Sequence, residues 1–425
     1  MKEKSRNLIV IIGNGFDLAH GLKTSYNDFA NYYLEEVILN EITKNIDKST
    51  IINNNFKKKI KEVTFLKENP SMESFQKKLS INLIKDKKDT ELQIFIKILI
   101  TKKNQEIKKS INDKLYLLQN ILTNSFLAKL YSNSFENWFD IEQAYYDELL
   151  NIFHDKYNDE DQPLFVERID ALNLDFQEIK EALKKYLKDK IKPTRNTSVS
   201  NSFENHFIDR KNVSFINFNY TNTINCYRHS VNLNLNKNIH IHNSLSEDII
   251  FGYGDDTDEM YQKMKASKNN SFLKYFKTFD YLKSKNYRKV LNQLAVFEKY
   301  DVLVIGHSLG GTDKTILKTI LDTDSCENIE LLKRSDFDTD ERYEELNLLE
   351  KEQLKADNLF ELYANLARIF DSEASLREKV IPFEWSINFP VMANYDYTKI
   401  QKREKELFII KSNHITLKTR KRKTT

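Results

Sequence analysis

Leu8-Ile-Val-Ile-Ile12 runs directly into Gly13-Asn-Gly-Phe-Asp17. The first five residues are a short, continuous apolar run, which predicts a buried strand of a parallel sheet. A glycine-rich turn after such a strand is where α/β folds offer backbone N–H groups to a phosphate. Gly13 would allow the tight turn and Gly15 a close approach. The spacing G-x-G-x-x-G is not met, because position 18 is Leu. On spacing alone the stretch reads equally as a plain tight turn.

Outward from this strand the chain changes character twice. From Asp28 to about Lys192 it is rich in Leu, Ile, Lys, Glu and Asn and contains no glycine. Apolar residues recur at threes and fours, as at Leu115, Leu118, Ile121 and Leu122, so this block is expected to be helical. Pro70 and Pro163 punctuate it, and Lys192 to Asn201 reads as an exit linker. Strand and helix then alternate. Strands are expected at Val213–Asn217, Ile239–Ile241, Ile249–Phe251, Asp301–Ile305 and Ile329–Leu332, with a last one at Phe408–Ile410. Helices are expected over most of 272–300, at Asp313–Leu321 and at Arg342–Phe370. The predicted class is α/β: a doubly wound, mostly parallel, Rossmann-like sheet with a large all-helical insertion after its first strand. The expected units are residues 1–30 (first strand and glycine turn), 31–200 (helical insertion), 201–335 (rest of the α/β core) and 336–425 (helical C-terminal region).

Composition narrows the function classes. Of 425 residues, 40% are apolar and 30% charged, as in a folded globular protein. Only eight are glycine, against an average near 7%. They cluster at 13, 15 and 21, at 252 and 254, and at 306, 310 and 311. No run approaches the ~18 apolar residues of a membrane span. Leu8–Ile12 is too short for a signal-peptide core, and Glu3 precedes it, so a cytoplasmic protein is expected. Cys226 and Cys326 have no metal spacing and are expected to be reduced. A net charge of +3 does not indicate nucleic-acid binding; only the tail Lys418-Thr-Arg-Lys-Arg-Lys423 is strongly basic.

Three further stretches carry candidate chemistry. Phe215-Ile-Asn-Phe-Asn-Tyr-Thr-Asn222 closes a predicted strand, where open α/β sheets bind ligands. Asn217 and Asn219 would point the same way and could hold sugar hydroxyls, or begin an Asx turn. His240-Ile-His242 places two histidines on one side of a strand, with no carboxylate or cysteine cluster to argue for metal. Gly306-His-Ser-Leu-Gly310 matches the G-x-S-x-G elbow of serine hydrolases. Its histidine should follow the serine and acid, and only His414 lies well downstream.

Taken together, these blocks resemble the AbiH family of bacterial abortive-infection proteins. The likeness lies in Gly13-Asn14-Gly15-Phe16-Asp17 with Gly21, Thr24 and Tyr26, and in Phe218-Asn-Tyr-Thr221. It continues in His240-Ile-His242 and in Gly306-His-Ser-Leu-Gly310 with Asp313. Trp138-Phe-Asp-Ile-Glu142 also resembles a family motif; Asp140 and Glu142 would not share a helix face. More distantly, the order of blocks is similar to the sirtuin-like fold of bacterial defence NADases. Carried across, Asn219 falls on the sirtuin-type asparagine, His242 on the histidine, and Ser308 with Asp313 on the final motif. Thr221 stands where that pattern has Asp, Asn243 where it has Gly, and Gly13-Asn14 where it has Gly-Ala.

The resemblance implies an abortive-infection effector that binds NAD and hydrolyses its nicotinamide N-glycosidic bond. The expected catalytic residues are Asn219, holding ribose and water, and His242, a general base. The expected ligand-binding residues are Gly13, Asn14, Gly15, Phe16, Asp17, Thr24, Tyr220, Gly306, Ser308 and Asp313. Asp17 and Asp313 read equally as polar anchors or helix caps. No metal is expected. A phage-derived trigger and a homo-oligomer are expected, and a membrane is not. Two other readings remain: a nucleotide sensor without turnover, and a hydrolase using Ser308.

Overall fold

The structure, a computed structural model, describes residues 7–33, 36, 124–132, 139–155, 162–193, 207, 210–227, 238–332 and 346–386. Five strands form one sheet: β1 (Asn7–Ile12), β2 (Asn212–Asn217), β3 (Asn238–His240), β4 (Tyr300–Ile305) and β5 (Cys326–Leu331). The order is β3-β2-β1-β4-β5, and every pairing is parallel. Leu8 lies opposite Val213 on one side and Asp301 on the other; Ile12 lies opposite Asn217 and Ile305. Strand order therefore reverses at β1, which puts the crevice for a ligand beyond the C-terminal ends of β1 and its neighbours.

Side-chain alternation explains why β1 must be central. Leu8, Val10 and Ile12 enter one apolar core with Phe215, Leu303 and Ile305. Ile9 and Ile11 enter another with Ile216, Val302 and Val304. A strand apolar on both faces needs cover on both. On the first face this comes from α1 (Asn14–Ala19), through Phe16, and from a 3₁₀ turn at Thr223–Tyr227. On the second it comes from helices further along the chain. α8 (Asn286–Phe297) supplies Val290 and Phe297, α9 (Lys314–Leu321) supplies Ile316, Leu317, Ile320 and Leu321, and α10 (Leu348–Ile369) supplies Leu366 and Ile369.

Every described element between β1 and β2 is helical: α1, α2 (Tyr26–Tyr32), α3 (Ser125–Ser132), α4 (Phe139–Asp155) and α5 (Gln162–Lys190). Helices α2 to α5 build a third core, rich in aromatic residues, with Tyr145, Phe176 and Tyr275 at its centre. Segment 251–276 joins this core, through Phe251, Tyr253, Met264 and Phe276. α6 (Glu259–Ala266) lies in that segment, and α7 (Lys277–Lys283) follows it. No described helix is long and apolar enough to cross a membrane.

Four expectations are corrected. Ile249–Phe251 is not a strand. Ile250 N–H donates to His242 O at 2.9 Å, Phe251 stacks on Phe176, and Gly252 N–H goes to a carboxylate. All three are buried, and Phe251 packs into the helical core. The glycine turn is the start of α1, with Gly13 as its N-cap, and α2 begins at Tyr26, before Asp28. The helix expected from Asp313 begins at Lys314, after a 3₁₀ turn at Gly311–Asp313. The expected strand at 408–410 and the periodic run at 115–122 lie outside the described residues, as do Trp138 and the Asp140 side chain.

Candidate functional site

The glycines of the first and last motifs serve each other. Gly13 N–H donates to Ile305 O at 2.9 Å and Gly15 N–H to Gly306 O at 2.8 Å, while Phe16 N–H returns to Gly13 O at 3.0 Å. A Cβ on Gly13 would lie 2.5 Å from His307 Cα, and one on Gly15 would lie 2.8 Å from Gly306 Cα. Gly306 has φ +64 and would press on Phe16 N at 2.3 Å. The β1 and β4 turns thus pack backbone to backbone. The three N–H groups at 13, 15 and 16 are spent on carbonyls, and Phe16 itself is buried in the sheet core. Asn14 is locked to Thr24: its Nδ2 donates to Thr24 O (3.2 Å), and Thr24 Oγ1 donates to its Oδ1 (2.6 Å).

The loop after β2 crosses above these turns. Asn217 makes an Asx turn, accepting from Asn219 N–H at 2.9 Å, and its amide donates to Thr221 O. Asn219 instead reaches the first turn, donating from Nδ2 to Gly13 O at 2.9 Å. His240 Nδ1–H donates to Asn219 O at 2.8 Å and so fixes that backbone. Thr221 Oγ1 donates to Asp17 Oδ2 at 2.5 Å. Asp17 Oδ1 is buried with no hydrogen-bond partner among the described residues. Burial raises the Asp17 pKa to about 6, against the hydroxyls of Thr221 and Thr223 and the Asn219 amide.

Beside this loop lies a buried charge cluster. His242 Nε2 stands 3.0 Å from Asp313 Oδ1, and its Nδ1 lies 3.2 Å from Phe218 O. Lys277, at the start of α7 and wholly buried, donates to the same Asp313 Oδ1 (2.8 Å), to Glu142 Oε2 (3.0 Å) and to Thr312 O (3.2 Å). Glu142 Oε1 accepts from Gly252 N–H at 2.8 Å. His307 accepts from Leu309 N–H at Nδ1, so its Nε2 carries the proton, facing Asp313 Oδ2 at 3.7 Å. Burial opposes the charge on Asp313, yet Lys277 and His242 hold its pKa well below the carboxylate range. Burial also opposes the charge on Lys277, and the two carboxylates outweigh it and raise its pKa. For Glu142 burial prevails over Lys277 and raises the pKa.

The expected residues separate accordingly. Asn219, His242 and Asp313 gather at the C-terminal edge of the sheet. Tyr220 joins them, with its ring 6.3 Å from His242 and its hydroxyl on Ile250 O. Asp313 holds the N-cap position of α9 but makes no cap hydrogen bond, and Asp17 lies inside α1. Neither side chain caps a helix. Ser308 is exposed, and positive φ falls on Gly306 and Leu309, so the serine is not at a strained apex. Asn243 has φ +63, a conformation that Asn tolerates almost as Gly does. Lys277 was missed: nothing local distinguishes it from the many exposed lysines. Glu142 had one signal, its place in the Trp138–Glu142 motif. Tyr281 was also missed. Its ring lies nearly parallel to that of His242 at 6.4 Å, and its buried hydroxyl has no hydrogen-bond partner among the described residues. Nor does any group of three or more His, Cys, Asp or Glu among them form a metal cage.

Fold and site define an α/β protein with an all-parallel sheet and a buried, charged centre at the sheet's C-terminal edge. The family model described as "Bacteriophage abortive infection AbiH" matches residues 9–333, and the chain belongs to that family. A role in phage abortive infection follows from membership. No curated protein and no solved structure matches the chain.

Proposed function

We propose that the protein is an abortive-infection effector that binds NAD, or a close relative, and hydrolyses its nicotinamide N-glycosidic bond. The observation that carries this is the His242–Asp313 pair, at 3.0 Å, standing next to the Asn219 loop where strand order reverses. Open parallel sheets bind nucleotides there, and the sirtuin-like reading of the core belongs to this proposal. In the reaction the C–N bond breaks and its electron pair leaves with nicotinamide. Positive charge develops on the ribose, and water adds to that carbon and gives up a proton. Asp313 supplies negative charge near the developing cation. Asn219 positions the ribose and the water. His242 takes the proton at Nδ1, which requires that nitrogen first to release Phe218 O, the longer of the ring's two bonds, and to be unprotonated, with the other ring proton kept on Asp313. The unspent Asp17 Oδ1 and Tyr281 hydroxyl are further groups for ligand hydroxyls.

A second reading, nucleotide binding without turnover, is favoured by one observation. Both His242 nitrogens and the N–H groups of the first glycine turn already have protein partners. The deciding experiment incubates purified protein with NAD, with and without extract of phage-infected cells, and measures nicotinamide. Release that is lost in Asn219→Ala and His242→Ala but kept in Ser308→Ala is expected. Tight NAD binding with no release under either condition would select the second reading. Fluorophosphonate labelling of Ser308 with no NAD loss would sink the first reading and, joined to a failure to bind NAD, the second.

A further inference from the structure

Lys277 and Glu142 have no role in the sequence-derived mechanism, yet they complete the cluster. Glu142 comes from α4 in the helical core, Lys277 from the first turn of α7, and Asp313 from the turn before α9. The ammonium and the imidazole share one oxygen, Asp313 Oδ1, at 2.8 and 3.0 Å. They therefore lie within about 6 Å of each other, close enough for each to feel the other's charge even at an interior dielectric near 20.

We propose that Lys277 is a positioning residue for His242, acting through Asp313, and that Glu142 sets how strongly it acts. The histidine of the site then answers to a carboxylate carried by the helical core. This rests on His242 being the working base proposed above, but its test needs no turnover. Among the described residues, the groups around the His242–Asp313 pair are His307 from the 307–313 turn, Lys277 and Tyr281 from α7, Glu142 from α4, and Tyr220 with Phe218 from the loop after β2. Of these, only Lys277 is a cation that also touches a carboxylate outside the α/β core. Removing its charge leaves two buried carboxylates near the imidazole, whereas removing the Glu142 charge leaves Lys277 uncompensated on that side. The two changes must move the imidazole in opposite directions.

The test is ¹⁵N NMR of ring-labelled histidine in the full chain from pH 5 to 9, with His242→Gln identifying the signal. At a common pH where both forms are populated, Lys277→Met should raise the imidazolium-to-imidazole ratio of His242 about tenfold. Glu142→Gln should lower it. Loosened packing alone would move both variants the same way. Equal signs, or an unmoved signal in folded protein, overturns the proposal. Should Lys277→Met fail to fold, the near-isosteric Glu142→Gln decides: a fall supports the proposal, and no change or a rise overturns it. Loss of NAD cleavage with the NMR shifts intact would fault the proposed reaction and not this coupling.

Discussion

Asp17 is buried in a position where its charge is a burden on the fold. Its pKa is raised to about 6 from an ordinary 3.8, chiefly by burial. Between those values the folded protein holds a proton that the unfolded chain has lost, so stability falls as pH rises through that window. The full difference is on the order of 3 kcal/mol. Asp17→Asn, neutral at every pH, should gain on the order of 2–3 kcal/mol over the native protein on going from pH 4 to pH 7. Urea unfolding at the two pH values checks this; an equal effect at both would mean that the Asp17 pKa is the same in the folded and unfolded chain. At this scale, legibility depended on distance along the chain. The spacing of Asn217 and Asn219 was readable, and so was the turn at Gly13. The environment of Asp17 was not, because Thr221 lies 204 positions away. Lys277 reads as an ordinary lysine until Glu142 and Asp313 are placed beside it, 135 and 36 positions off.

The elements were easier to read, because apolar runs and caps are local. β2, β3 and β4 lie within one residue of the expected spans, whereas the helix expected from Arg342 begins, among the described residues, only at Leu348, where Asn347 closes a capping box that was not read from the sequence. The Ile249–Phe251 run failed because an apolar triplet fits a helical core as well as a sheet, and periodicity cannot separate the two in three residues. Two predictions belong here. Ser25 caps α2 by accepting from Asp28 N–H, while Asp28 accepts from Ser25 N–H. Ser25→Ala should therefore cost about 1 kcal/mol in denaturant unfolding. The turn after β4 offers a sharper contrast. Gly306→Ala meets Phe16 N at 2.3 Å with φ at +64, whereas a Cβ on Gly311 meets nothing within 4 Å. The first should cost about 2–4 kcal/mol and the second less than about 0.5. Comparable losses would mean that the two turns are not held backbone to backbone.

On the scale of the whole molecule, the charge cluster joins two apolar cores that otherwise have separate membership. Tyr145 and Tyr146, one turn past Glu142 on the same helix, belong to the helical core, while Ile316 and Leu317, just past Asp313, belong to a sheet core. Lys277 lies between them with no exposed side-chain surface. A buried charge stripped of its partner typically costs about 3–5 kcal/mol, because the desolvation remains and the attraction is gone. Lys277→Met strips two carboxylates at once, so it should fall in that range and exceed Glu142→Gln, which leaves the ammonium on Asp313. The informative measurement is the double-mutant cycle. If the pair is one unit, Glu142→Gln in the Lys277→Met background should cost little or even stabilise, since it removes a carboxylate that has lost its cation. The interaction term should then lie between about 0.5 and 3 kcal/mol, read from urea unfolding followed by circular dichroism. A term near zero would mean that Glu142 is held by Gly252 N–H alone and that the helical core exerts no charge on the site. A large term, joined to opposite responses of the His242 ring, would make docking of the helical core and readiness of the site a single equilibrium.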